Sequence, residues 1–139
     1  MNRPTNEVLG RLAFLANTRG IIPNPIDATR IDVAVVGVEN TITILYTVPA
    51  GYKLFIDSLW LSLYNDSAST TTGALYIRNG SDVLVYYLAY LNLITKREGN
   101  HSQSFPVAVE VSAGYDICVR SFLAALIVNA GIHGWLESV

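Results

Sequence analysis

Few side chains in this chain of 139 residues could carry out chemistry, and their spacing argues against most of it. His101 and His133 are its two histidines, 32 positions apart. A metal site on a β scaffold needs closely spaced ligands of the His-x-His, Glu, later His kind, and these two cannot supply it. A hydrolytic triad needs Ser or Cys beside a His and an acid in space. Asn100-His101-Ser102 offers the types, but chain neighbours rarely converge on one atom. Gly131-Ile132-His133-Gly134 reads as a turn or bulge, not as a strand-to-helix phosphate cradle. Paired carboxylates for glycoside hydrolysis would have to come from Asp57, Asp66, Asp82, Glu98, Glu110, Asp116 and Glu137. Most of these fall at expected strand ends or in loops, where acids are solvated. Cys118 stands alone, so no disulfide can form within the chain, and its apolar setting Ile117–Val119 reads as a small buried hydrophobe. The sequence therefore assigns no catalytic residue, no metal ligand and no cofactor.

Aromatic side chains are the other chemistry on offer: eight Tyr, four Phe and two Trp. Tyr86, Tyr87 and Tyr90 fall in one apolar run, Val83–Leu91. Strand alternation puts Tyr86 and Tyr90 on one face and Tyr87 on the other. A strand apolar on both faces needs cover on both, one from its own sandwich and one from a second subunit. Leu84, Tyr86, Tyr87 and Tyr90 are the expected oligomer-interface residues. Nucleic-acid binding would require Lys or Arg interleaved with the rings. Only Arg78 and Lys96-Arg97 lie near them in sequence, so no nucleic-acid partner is expected.

The elements that must position these groups are β-strands. Ile31–Val38, Thr41–Val48, Tyr52–Tyr64, Gly73–Arg78, Val83–Leu91, Val107–Val111, Tyr115–Phe122 and Ala125–Leu136 read as eight strands with regular turn signals. This is the pattern of an antiparallel sandwich. In Tyr52–Tyr64, Leu59, Leu61 and Leu63 point one way while Trp60, Ser62 and Tyr64 point the other. Asn79-Gly80-Ser81 marks a hairpin, and the stretches 65–72 and 96–103 read as loops. Val48-Pro49-Ala50-Gly51-Tyr52 is echoed by Val111-Ser112-Ala113-Gly114-Tyr115, two corners that would turn on glycine. Ahead of residue 31 the character changes. Residues 6–17 carry helical apolar spacing, and Gly20, Pro23 and Pro25 then impose an extended course. Leu12, Leu15, Ile21, Ile22 and Ile26 are the expected docking groups of this arm. The chain thus divides into an N-terminal helix and proline-containing arm, 1–30, and a β-sandwich domain, 31–139.

Composition points the same way. Charged residues are 14% of the chain, against about 25% in ordinary soluble domains. So neutral a surface suits burial against other chains. Net charge is −2, which gives no field for polyanions. Residues 1–30 carry four Arg against two acids, and residues 31–139 five cations against nine acids, a mildly basic arm on an acidic body. No apolar run approaches the ~20 residues that span a bilayer, and residues 1–20 lack a signal-peptide core, so neither membrane nor secretion is expected.

The Thr-Val-Pro-Ala-Gly-Tyr-Lys-Leu-Phe-Ile corner at 47–56, the long strand after it, the Asn79-Gly80 hairpin and the second Ala-Gly corner resemble small jelly-roll proteins of tailed-bacteriophage virions. The resemblance covers residues 41–137 and leaves the arm unmatched. It implies a jelly-roll-like sandwich and a virion structural role without catalysis: capsid decoration (cement) or a related accessory function. Proteins of this kind commonly act as trimers, so the expected partners are the chain itself, as a homotrimer, and the major capsid protein or other virion proteins. The virion would be the location, after synthesis in the host cytoplasm. Two alternatives stand beside this reading. One is a carbohydrate- or receptor-binding sandwich, a fibre tip or lectin-like module, using Trp60, Tyr64 or Tyr86. The other is a degenerate cupin-type metalloenzyme.

Overall fold

The computed structural model describes residues 28–36, 41–94, 97–122 and 126–139. The helix expected at 6–17 and the arm residues Leu12, Leu15, Ile21, Ile22 and Ile26 lie outside these. The described residues form eight strands: β1 (Thr29–Val36), β2 (Ile42–Thr47), β3 (Tyr52–Asn65), β4 (Thr71–Arg78), β5 (Leu84–Leu93), β6 (Arg97–Val111), β7 (Asp116–Ser121) and β8 (Leu126–Ser138).

They make two four-stranded antiparallel sheets, β1-β8-β3-β6 (sheet A) and β2-β7-β4-β5 (sheet B). Strand β1 pairs with β8, β2 with β7, β3 with β6, and β4 with β5. The chain is therefore one long hairpin closed at the β4–β5 turn, whose successive strand pairs fall alternately in the two sheets. That nesting is jelly-roll-like. Leu59, Leu61 and Leu63 of β3 are buried as their alternation requires, while Trp60 and Tyr64 are exposed on the opposite face. Between the sheets Leu54, Ile56, Leu75, Ile77, Ile117, Val119, Val128 and Ile132 close one continuous apolar core.

The repeated corners carry the chain from one sheet to the other, β2 to β3 and β6 to β7. Gly51 has φ +80° and Gly114 φ +75°, the left-handed region that a type II turn demands of its third residue. Tyr52 N–H donates to Pro49 O at 3.3 Å, and Tyr115 N–H to Ser112 O at 3.2 Å. The corners are also bonded to each other: Val48 N–H reaches Tyr115 O and Gly114 N–H reaches Val48 O, both at 2.9 Å. Beside them the Asp116 carboxylate joins three strands of sheet B. It accepts from Thr47 Oγ1 at 2.6 Å and from Arg78 Nε and Nη2 at 3.0 and 2.9 Å.

The β4–β5 hairpin turns on Gly80, Ser81 and Asp82, one residue further along than the Asn-Gly-Ser signal. Asp82 takes the left-handed position (φ 62°) that usually falls to glycine, and Asn79 Oδ1 accepts from the N–H groups of Ser81 and Val83.

Two expected loops are corrected. The stretch 96–103 lies mostly in strand, since β6 begins at Arg97 and pairs Glu98–Ser104 with Tyr64–Ser58 of β3. As an edge strand solvated along much of its length, it needs no alternating apolar signal, so nothing in Glu98–Ser104 announces it. At 65–72, Thr71 and Thr72 already belong to β4, and Asn65 ends β3 fully buried. The Asn65 Nδ2 donates to the carbonyls of Ser69 (2.8 Å), Ile94 (3.1 Å) and Leu93 (3.3 Å), and its Oδ1 accepts from Ser67 N–H and Oγ. A single amide thus plugs this end of the sandwich.

Candidate functional site

The two sheets present different outer faces. On sheet B the register aligns Ile44, Cys118, Tyr76 and Tyr87 in one row and Ile42, Arg120, Ala74 and Tyr90 in the next. Ala74, Tyr76 and Cys118 form a second small buried cluster outside the main core. Flanking it, Ile42 (45%), Ile44 (48%), Tyr87 (42%) and Tyr90 (51%) are exposed. The Tyr87 ring stands 5.6 Å from Tyr90, edge to face, and 6.0 Å from Tyr76. Arg120 caps the Phe122 ring at 4.6 Å. Apolar side chains are thus gathered on four neighbouring strands of one face, unlike the scattered exposure usual on a protein.

The β5 expectations are corrected in two ways. Alternation placed Tyr86 with Tyr90, yet Tyr87 and Tyr90 share the outer face. Tyr76 opposes Tyr87 and Leu75 opposes Ala89, so Leu88 is an extra residue, a bulge that shifts the alternation by one. Val85 is a second bulge, between Leu84 and Tyr86. The run was also expected to be half buried in its own sandwich throughout. Leu88 and Ala89 are buried, but Leu84, Val85, Tyr86 and Tyr87 are all exposed, because β5 is an edge strand and its first half is not covered by its own subunit. Tyr86 instead lines an open cleft of about 380 Å³ at the sandwich edge, with Ile77, Val85, Val109, Val111 and Tyr115. Bulges also blunt the exposed edge against indiscriminate strand pairing.

Sheet A carries a polar cluster that no local motif announced. Its centre is His133, whose Nδ1 lies 2.6 Å from Asp57 Oδ1 and whose Nε2 accepts from Arg30 Nε at 2.8 Å. That network assigns the proton to Nδ1, donating to Asp57. Ser58 Oγ donates to the same Asp57 oxygen at 3.0 Å. Asp, His and Ser meet here, but the wiring differs from a hydrolase. The imidazole lone pair that would activate a nucleophile is occupied by Arg30, and the serine bonds to the acid instead of the His. Asp57 is the bulged residue between Ile56 and Ser58, so its position depends on a register shift that one-dimensional pattern reading does not show. His101, at the solvated edge on β6, meets Gln103 Oε1 at 3.2 Å.

Cys118 is buried, as its apolar neighbours suggested. Burial pushes its thiol up to about 11, with nearby Arg78 opposing the rise. Among the described residues no three His, Cys, Asp or Glu side chains are grouped to hold a metal, and no helix is long and apolar enough to cross a membrane. Asn65, the first residue of an Asn-x-Ser triplet, is too buried to accept a glycan.

A scan of protein-family models finds no match, and neither does a comparison with curated proteins. Similar solved structures include a pentameric capsid protein from metagenomic phage sequences, at TM-score 0.41 and 15% identity over 100% of this chain and 92% of that one. A second such structure, solved by iodide phasing, gives 0.39 and 14% over the same shares. A protein of Bacillus endospore appendages, which form disulfide-linked pili, gives 0.38 and 11% over 84% of this chain and 95% of that one. These scores are too low to carry a functional assignment.

Proposed function

We propose that this chain is a non-enzymatic virion structural protein that decorates or stabilises a phage capsid. In this reading the sandwich self-associates as a homotrimer through the outer face of sheet B and the exposed half of β5. Leu84, Tyr87 and Tyr90 contribute to that contact, and Tyr86 contributes at the edge cleft. Residues ahead of β1 reach neighbouring capsid subunits, with Leu12, Leu15, Ile21, Ile22 and Ile26 as anchors. Tethering such an arm to an oligomeric body raises its effective concentration at the shell, so weak individual contacts suffice.

The observation that carries the reading is the apolar outer face of sheet B, with Ile42, Ile44, Tyr87, Tyr90 and Phe122 all exposed in one subunit. Aromatic residues of this kind are enriched at interfaces. The low charge content and the resemblance of the two Ala-Gly corners to virion jelly rolls support it. The test is attachment to particles. Antibody labelling of virions of the encoding phage is expected to place the chain on the shell. A variant lacking residues 1–27, which keeps β1 intact, is expected to fold and fail to attach. Absence of the chain from particles would refute the virion role, and normal attachment by the shortened chain would refute the arm's part in it.

A further inference from the structure

The outer face of sheet A has a built cleft that assembly through sheet B leaves unused. Two register rows form it. Asp32, His133, Ser58 and Ser104 align across β1, β8, β3 and β6, and Ala34, Gly131, Trp60 and Ser102 align beside them. A Cβ on Gly131 would collide with the Trp60 indole Nε1 and stand 2.7 Å from its Cε2. The ring therefore lies across the glycine, and Ala34 beyond it carries only a methyl group. One indole face rests on the sheet while the side chain remains 41% exposed. Next to the ring is an open depression of about 260 Å³ bounded by Asp32, Ser58, Ser102, Ser104 and His133. Pockets for drug-sized ligands run from about 300 to 1,000 Å³, so this one suits a single small ring.

We propose that this cleft binds a neutral saccharide, with Trp60 as the stacking plate and Asp32, Ser58, Ser102 and Ser104 reading hydroxyl groups. A pyranose is amphipathic in the matching way: a C–H face that packs on an indole, and hydroxyls around its rim that both donate and accept. The cleft holds the complementary set. Asp32 can only accept, the serine hydroxyls do both, and Asp32, Ser102 and Ser104 form no side-chain hydrogen bond among the described residues. His133 is fixed from two sides by Asp57 and Arg30, so the floor is organised before a ligand arrives. Charge sets the class. Arg30 is the cation of this cluster beside two carboxylates, Asp57 and Asp32, so the cleft is left with net negative charge, which disfavours anionic sugars. A peptide groove would show several apolar anchor pockets, whereas Trp60 is the one large apolar residue exposed in this depression, its apolar neighbours Leu59 and Ile132 being buried. Further along β3 the face continues with Ser62 opposite Asn100, and then with exposed Tyr64. Tyr64 lies four strand residues from Trp60, roughly 13 Å, so the strip can follow a chain of sugars beyond the first ring.

The proposal is independent of the assembly reading, and its test uses the whole chain. Binding to an array of neutral and sialylated oligosaccharides, followed by calorimetric titration of the retained ones, is expected to select neutral glycans. Trp60→Ala is expected to weaken binding at least about tenfold, Trp60→Phe to retain it within a few-fold, and Ser81→Ala, at the exposed β4–β5 turn of the opposite sheet, to leave it unchanged. Asp32→Ala, at an exposed side chain, is expected to weaken it as well, which keeps the test independent of any effect of Trp60 on folding. Retention of no neutral glycan, selection of sialylated ones alone, or binding that survives both Trp60→Ala and Asp32→Ala would overturn the proposal.

Discussion

Tyr90→Ala separates association from folding. A tyrosine side chain buries 150–250 Å² at most, and Tyr90 keeps 51% of its surface exposed within one subunit. About 100 Å² is therefore left for a partner to cover, worth about 2.5 kcal/mol at 25 cal/mol per Å². Losing it from each subunit–subunit contact raises the dissociation constant roughly 60-fold. The cost inside the subunit is comparable: the half of the side chain already covered there is worth about 2.5 kcal/mol on the same scale, and the edge-to-face contact with Tyr87 at 5.6 Å adds about 1 kcal/mol. Sedimentation velocity across a concentration series reads the first quantity, and thermal melting of the dissociated species reads the second. The expected result is a dissociation midpoint moved up by more than a decade in concentration, together with a melting temperature of the dissociated species lowered by roughly 10 °C. Association unchanged from the parent chain in both Tyr90→Ala and Tyr87→Ala would refute the placement of the interface on this face.

Three further outcomes follow from the fold. Gly134→Ala is expected to be far more damaging than Gly51→Ala. A Cβ at Gly134 would run into the Phe55 carbonyl and stand 3.1 Å from Ile56 Cα, whereas at Gly51 it meets nothing within 4 Å and adds only left-handed strain of about 1–2 kcal/mol, which denaturant titration of both variants compares. Asn65→Ala strips the carbonyls of Ser69, Leu93 and Ile94 of their donor and is expected to cost about 2–3 kcal/mol in the same assay. For Cys118, the folded state holds the thiol up to about 11, so folding resists its ionisation. Stability is then unaffected by this group below about pH 9, falls as pH rises, and has lost about 2–3 kcal/mol by a little above pH 11. Cys118→Ala is expected to flatten that slope, measured as unfolding free energy against pH, and native protein is expected to react with thiol reagents only as fast as it opens.

What could be read in advance was what repeats along the chain. The Leu59, Leu61, Leu63 alternation and the doubled Ala-Gly corner place a core face and two sheet-to-sheet crossings, because side-chain period and the need for positive φ are properties of a few consecutive residues. The bulges were not legible. Leu88 and Asp57 each shift a register by one, and a shift is defined only against a partner strand: β4 for Leu88, β8 for Asp57. That is why alternation alone puts Tyr87 on the wrong face relative to Tyr90. The union of Asp57 with His133 across 76 positions was invisible for the same reason. Strand β6 was missed over Glu98–Ser104 because a solvated edge carries no apolar alternation. The Trp60 cleft was half legible: its aromatic plate was singled out, but the glycine beneath it and the serines beside it come from other strands.

Native mass spectrometry of the intact chain at micromolar concentration tests the central claim most directly. A discrete oligomer is expected, three copies in the reading proposed here, dissociating when Tyr87 and Tyr90 are both replaced by Ala. A single copy at every accessible concentration would contradict it, since Ile42, Ile44, Tyr87 and Tyr90 would then face water with no partner to cover them.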